Sequence, residues 1–259
     1  MRFSSMILLV FTMSYNVAAQ TKTGKEIDQE LYKSYVKLVD YRLGSDSYSY
    51  DSIDRQGSIF REQLIKYTSH YPLTLSLKFD SLRSKIDILT SSDGLFRIYS
   101  WDTWMGGTMH DFENVMQYGH YGKVFIKANK DTNYSSDAGY VYDFIKLYSI
   151  KANNKTYYLG VYVGEFSNQD GGMGIQVFTI DDNGLNDTVK LIKTGTDMQY
   201  GIYFNFNFFK MGKVNYIAEL IKYDSEKKMI YIPIVTEDGK VTNRYIKYQF
   251  SGDYFEKIK

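Results

Sequence analysis

Apolar residues recur at helical spacing early in the chain and at alternate positions after it. Ile27, Leu31, Tyr35, Leu38 and Val39 repeat with a helical period, which predicts a helix from about Lys25 to Arg42. Gly44 ends the pattern, as a glycine just past a helix commonly does. Residues 45–50 are turn-like. A second helix is predicted over Ser52–Thr68, with Phe60, Leu64 and Tyr67 on one face. Tyr71-Pro72 stops it, because the residue before proline avoids helical angles. A short extended piece and a single helical turn, Phe79 to Arg83, follow.

From Ile86 onward the period shortens to two. Phe204, Phe206 and Phe208 alternate with Asn205 and Asn207. Residues 157–163, 175–180, 214–217, 229–232 and 245–250 are β-branched and aromatic runs, whose side chains suit a pleated, half-buried surface. The expected fold is mainly β with N-terminal helices (α+β): an antiparallel meander of about a dozen strands. Its expected divisions are 1–19 as a signal peptide, 20–85 as a helical segment packed on the sheet, and 86–259 as the antiparallel β domain. Gly94, Gly139 and Gly184 stand 45 residues apart, and Gly239 follows after 55. Such spacing resembles the blades of a propeller. A twisted meander or barrel-like sheet is the preferred reading, because the residues around these glycines do not repeat.

The first residues carry a different pattern. Arg2, the apolar run Met6–Phe11 and the small residues Val17-Ala18-Ala19 have the layout of a secretory signal peptide cut before Gln20. Its apolar core is too short for a bilayer, which needs about 20 apolar residues. Without Arg2 the basic and acidic residues balance, so nothing electrostatic directs the chain to nucleic acid or an anionic membrane. The chain has no cysteine, so disulfides, thiolate chemistry and an acylated N-terminal cysteine are excluded. An exported protein with no lipid anchor, no membrane span and no cofactor is expected, in the periplasm or outside the cell.

The chemically richest segment is 91–121. It opens with a turn, and Leu95 to Asp102 reads as a strand. Alternation puts Leu95, Arg97, Tyr99 and Trp101 on one face and Phe96, Ile98, Ser100 and Asp102 on the other. Both tryptophans and two of the three histidines lie in this segment. Gly106-Gly107 allows a tight loop or a close approach of ligand to backbone. The candidate ligand-binding residues are Arg97, Tyr99, Trp101, Asp102, Trp104, Gly106, Gly107, Thr108 and His110. Aromatic faces would receive a sugar ring or peptide, and the polar groups would orient it. The competing reading is structural, with Arg97 and Tyr99 covering the sheet exterior and the tryptophans packing at a strand end.

Catalytic and metal-binding patterns are weaker. Asp93, Asp102, Asp111 and Glu113 are candidates for the paired carboxylates of a glycosidase. His110 and His120 with Asp111 and Glu113 match no metal-ligand spacing. Residues 181–187 have a calcium-loop flavour, but they lack the Gly and distant Glu of an EF-hand and fit a hairpin turn better. No nucleophile elbow, phosphate loop or His-Glu-x-x-His occurs.

The string Ser-Ser-Asp-Gly-x-Phe-Arg-Ile-Tyr-Ser-Trp-Asp from Ser91, with Gly-Gly-Thr at 106–108, resembles a signature of uncharacterised secreted β-rich proteins of the Bacteroidetes. The ending from Asp238 to Phe255 has the same flavour. The resemblance implies export and a bacterial source, and brings no activity with it. The expected function is therefore an exported binding or interaction protein for a glycan or protein of the envelope or extracellular space. A hydrolase acting on glycan or peptide through carboxylates at 93–113 is the alternative.

Overall fold

Thr23 and Glu26 cap each other at the start of α1 (Gly24–Leu43): Glu26 N donates to Thr23 Oγ1, and the Glu26 carboxylate accepts from Thr23 N at 2.8 Å. Helix α2 (Tyr50–His70) ends where expected, with Tyr71 in extended angles before Pro72. Gly44 follows α1 in ordinary extended angles, with its N–H on Asp40 O at 2.8 Å. The computed structural model describes residues 22–44, 49–128, 142–211 and 217–258. The expected signal peptide, most of the 45–50 turn, Gly139 and all but the last residue of the extended run expected at 214–217 lie outside the described residues, and that last residue, Ile217, opens a short 3-10 turn.

Fifteen strands follow among the described residues. They are β1 (Asp87–Thr90), β2 (Phe96–Asp102), β3 (Phe112–His120), β4 (Lys123–Ala128), β5 (Asp143–Ala152), β6 (Lys155–Glu165), β7 (Asp170–Asp181) and β8 (Gly184–Asn186). The chain continues through β9 (Ile192–Thr194), β10 (Asp197–Gln199), β11 (Gly201–Asn207), β12 (Lys222–Asp224), β13 (Met229–Val235), β14 (Val241–Phe250) and β15 (Phe255–Ile258). They form three sheets. Sheet one has the order β1-β2-β3-β4, sheet two β11-β7-β6-β5 with β8 on β7, and sheet three β10-β9-β15-β14-β13-β12. The pairing is antiparallel except that β15 runs parallel to β9.

The sheets stack under the helices. Ile27, Leu31, Phe60 and Leu64 of the helices pack on Tyr99, Trp101 and Val115 of sheet one. The opposite face of sheet one, Phe96, Ile98 and Met116, meets Phe144, Tyr158 and Phe178 of sheet two. The far face of sheet two, Leu159, Val161, Ile175 and Val177, meets Ile230, Ile232, Tyr248 and Phe255 of sheet three. The architecture is α+β, in four layers, and no closed barrel forms among the described residues.

Gly94, Gly184 and Gly239 do occupy hairpin turns at positive φ, 70°, 101° and 83°. Their turns join β1 to β2, β7 to β8 and β13 to β14, one hairpin in each sheet. Their spacing therefore marks hairpins of three different layers, with no repeated blade.

Candidate functional site

At one end of sheet one, three strands bring aspartates together around Ser100. Register places Asp87, the first residue of β1, opposite Ser100. The start of β5 docks there too, because Phe144 N donates to Ser100 Oγ at 3.1 Å, which puts Asp143 beside Asp87. Asp102 closes β2 two residues further on. These acids, with Tyr35 of α1 and Trp101, Trp104 and Phe112, line a cleft of about 340 Å³. Arg83 and Lys85 also line it. The volume suits a small ligand or one unit of a longer one.

The acids differ in their surroundings. Burial, the Asp87 carboxyl and the charge of Asp102 together push Asp143 up to about 7. Burial also raises Asp87, against a lowering contribution from its hydrogen bond with Asp143. The two carboxyls therefore hold one proton between them near neutrality. Two polar atoms buried in the cleft-lining residues lack a hydrogen-bond partner: Trp101 Nε1, a donor, and Asp143 Oδ1. Leaving such a group unmet costs about 1–3 kcal/mol.

A chain of hydrogen bonds holds one wall. Trp104 Nε1 donates to Tyr35 Oη at 3.1 Å, and Tyr35 Oη donates to the Asp102 carbonyl at 3.1 Å. Burial raises the Tyr35 hydroxyl far above its usual range, so it stays a donor. Asp102 Oδ1 accepts from Trp104 N at 2.7 Å and its Oδ2 from His110 Nδ1 at 2.6 Å. His110 Nε2 then faces Glu165 Oε2 at 3.6 Å, while His110 N donates to Glu165 O. Trp104 sits at φ 60°, a left-handed conformation that costs about 1–3 kcal/mol for a bulky side chain. The Asp102 and Tyr35 bonds hold it there.

The predicted site residues separate into two groups. Asp102, Trp104 and His110 converge at or beside the cleft, and Trp101 forms part of its wall from within the core, 2% exposed. Arg97 and Tyr99 lie further down β2, buried under the helices, so they cover no sheet exterior. Arg97 spends its guanidinium on Thr74 O, Leu77 O and Thr90 Oγ1 at 2.6–2.7 Å, pinning the 72–79 segment to the sheet. Tyr99 Oη lies 2.9 Å from Gln117 Oε1 and 3.1 Å from Thr74 O. Gly106 serves loop closure, since a Cβ there would stand 1.7 Å from Met109 O, whereas Gly107 has open space around it. Gly107 and Thr108 are exposed in the same loop.

Of the acids considered for catalysis, Asp102 and Asp111 meet at the β2–β3 end, where burial and then the Asp102 charge raise the Asp111 carboxyl, and Asp93 stands apart. Asp93 lies in the turn before β2 and Asp102 at the far end of that strand, whose length is about 20 Å at strand rise. Asp93 serves its own turn and Tyr158. Asp111 accepts from Thr103, and Glu113 pairs with Arg61 at 3.8 Å. Tyr35, Asp87, Phe112 and Asp143 were not singled out by sequence, because only strand register and helix docking bring them to the cleft. No cluster of metal-binding side chains occurs among the described residues. No protein-family model matches this chain, and no curated protein matches it.

Proposed function

We propose that this protein is an exported binding protein whose cleft holds one sugar unit of a glycan. The N-terminal apolar run and the small residues before Gln20 support export, to the periplasm or beyond. Among the described residues, no helix is long and apolar enough to cross a membrane. One observation carries the ligand reading: Asp143 Oδ1, an oxygen with no donor, belongs to a cleft walled by Trp104 and Phe112. A sugar hydroxyl donates and accepts at once, and the C–H face of its ring suits Trp104 and Phe112.

Both tryptophans of the chain line this cleft, so intrinsic emission reports on it directly. Titration with mono- and disaccharides of envelope glycans should give a saturable emission change, lost in Asp143→Leu, which removes the acceptor, while the circular dichroism is kept. A flat response across the panel would end the sugar reading.

A second reading, hydrolysis in the same cleft, rests on the Asp87–Asp143 pair, in which one shared proton offers an acid beside a base. Turnover of a glycan or peptide that Asp143→Asn abolishes without abolishing binding would establish it. Binding with no turnover leaves the first reading.

A further inference from the structure

Sheet two carries four aromatic rings on a floor of glycines, beyond the patch that sheet one covers. Tyr142, Tyr162, Phe166 and Tyr203 form one ring cluster, with Tyr142 and Tyr162 at 4.6 Å and Tyr142 and Tyr203 at 5.8 Å. Tyr162 and Tyr203 lie within 13° of parallel. Tyr203 is 40% exposed, and the other three rings are half-buried.

The floor is Gly164 and Gly172, which face each other across β6 and β7, and Gly174, which pairs with both Tyr162 and Tyr203. A Cβ at Gly164 would stand 2.7 Å from the Tyr142 ring, at Gly172 2.0 Å from the Tyr203 hydroxyl, and at Gly174 2.4 Å from Tyr162. Glycine weakens a strand interior. Here three of them let the rings lie close against the backbone and form a low aromatic shelf.

The shelf adjoins the cleft along the chain at two points. Tyr142 directly precedes Asp143. Glu165, next to Gly164, faces the same His110 that bonds Asp102. Shelf rings and floor carry no charge, and the tyrosine rings join apolar faces to hydroxyl edges, which suits a neutral sugar chain.

We propose that the Tyr142–Tyr203 shelf holds further units of the glycan whose first unit occupies the cleft, so that the ligand is an oligosaccharide crossing His110 and Glu165. This rests on the reading of the cleft as a sugar site.

Calorimetric titration with cello-, xylo-, malto- and chito-oligosaccharides of one to six units tests it. In the series that binds, affinity should rise about tenfold or more from one unit to four. Tyr203→Ala should erase that gain and leave the single-unit affinity unchanged, and Tyr203→Phe should keep it. Gly172→Ala, which forces the Tyr203 ring off the sheet, should reproduce the loss. Equal affinity at every length, or a length gain that survives Tyr203→Ala, overturns the shelf alone. No binding at any length in any series overturns the cleft reading and the shelf with it.

Discussion

His110 Nδ1 donates to Asp102 Oδ2 at 2.6 Å, and through this bond the loop after β2 is fastened to the last residue of the strand it leaves. The other oxygen of the same carboxylate holds Trp104 N at 2.7 Å. One side chain thus sets both the loop and the tryptophan that walls the cleft.

Asp102→Ala removes both acceptors, and a loss of about 1–3 kcal/mol is expected. Urea denaturation followed by circular dichroism measures it, and tryptophan emission should shift to the red as Trp104 leaves its wall. Asp102→Asn keeps an acceptor for Trp104 N and should lose less. An Asp102→Ala protein as stable as the wild type would show that the loop is held by something else.

The two glycines of this loop should respond oppositely to the same change. Gly106→Ala drives a methyl against Met109 O, so the loop must open. Gly107→Ala meets nothing within 4 Å. Thermal melting should show a clear drop for Gly106→Ala and a near-neutral effect for Gly107→Ala.

Asp143 makes stability depend on pH in a defined sense. Its native carboxyl holds a proton up to about 7, above the ordinary 3.8. Between about 4 and 7 the native state therefore binds more protons at this site than the unfolded chain does. The contribution of Asp143 falls as pH rises through that window, and its penalty is complete above it. Asp143→Asn removes the dependence and should raise stability at pH 8 by on the order of 1–3 kcal/mol. Carboxylates held low, such as Glu30 and Asp238, act in the opposite sense, so wild type and variant are compared at each pH. Parallel urea midpoints from pH 4 to 8 in the two proteins would contradict the assignment.

The two tryptophans should differ in what their loss does. Trp101 is 2% exposed and packs edge-on against Phe60 at 5.2 Å, so Trp101→Ala should destabilise by about 3–5 kcal/mol. Trp104 is half-buried, and Trp104→Ala should cost less while blunting ligand response. Trp104→Ala is therefore the site probe. Equal melting temperatures for Trp101→Ala and wild type would take that indole out of the core.

Local physics was legible in the sequence, and layering was not. Helical spacing located α1 and α2 to within two residues at each end, because caps and a proline act on their own neighbours. The two faces of β2 were assigned correctly, since strand alternation is geometric. Their surroundings were not. Arg97 implies a solvent face until its partners are known, and these are main-chain carbonyls at 74 and 77 that only tertiary packing delivers. Asp87 and Asp143 carry no local mark of their meeting either, because it depends on the register of β1 on β2 and the docking of β5. Trp104, Gly106 and His110 stand out in the sequence because their loop is unusual in composition.

The burial of β2 on both faces confines what its residues can do. A strand pressed between a helical layer and another sheet offers no broad side to the outside, and its middle is committed to cohesion. Novelty at such a strand has to arise at its tip. There the chain escapes the stack, and a changed loop or a single carboxylate can alter recognition without reopening the interior. The coincidence of Ser100, Trp101 and Asp102 with the cleft follows from that confinement. Diversity among proteins built on this stack should accordingly collect around the tips of the inner strands.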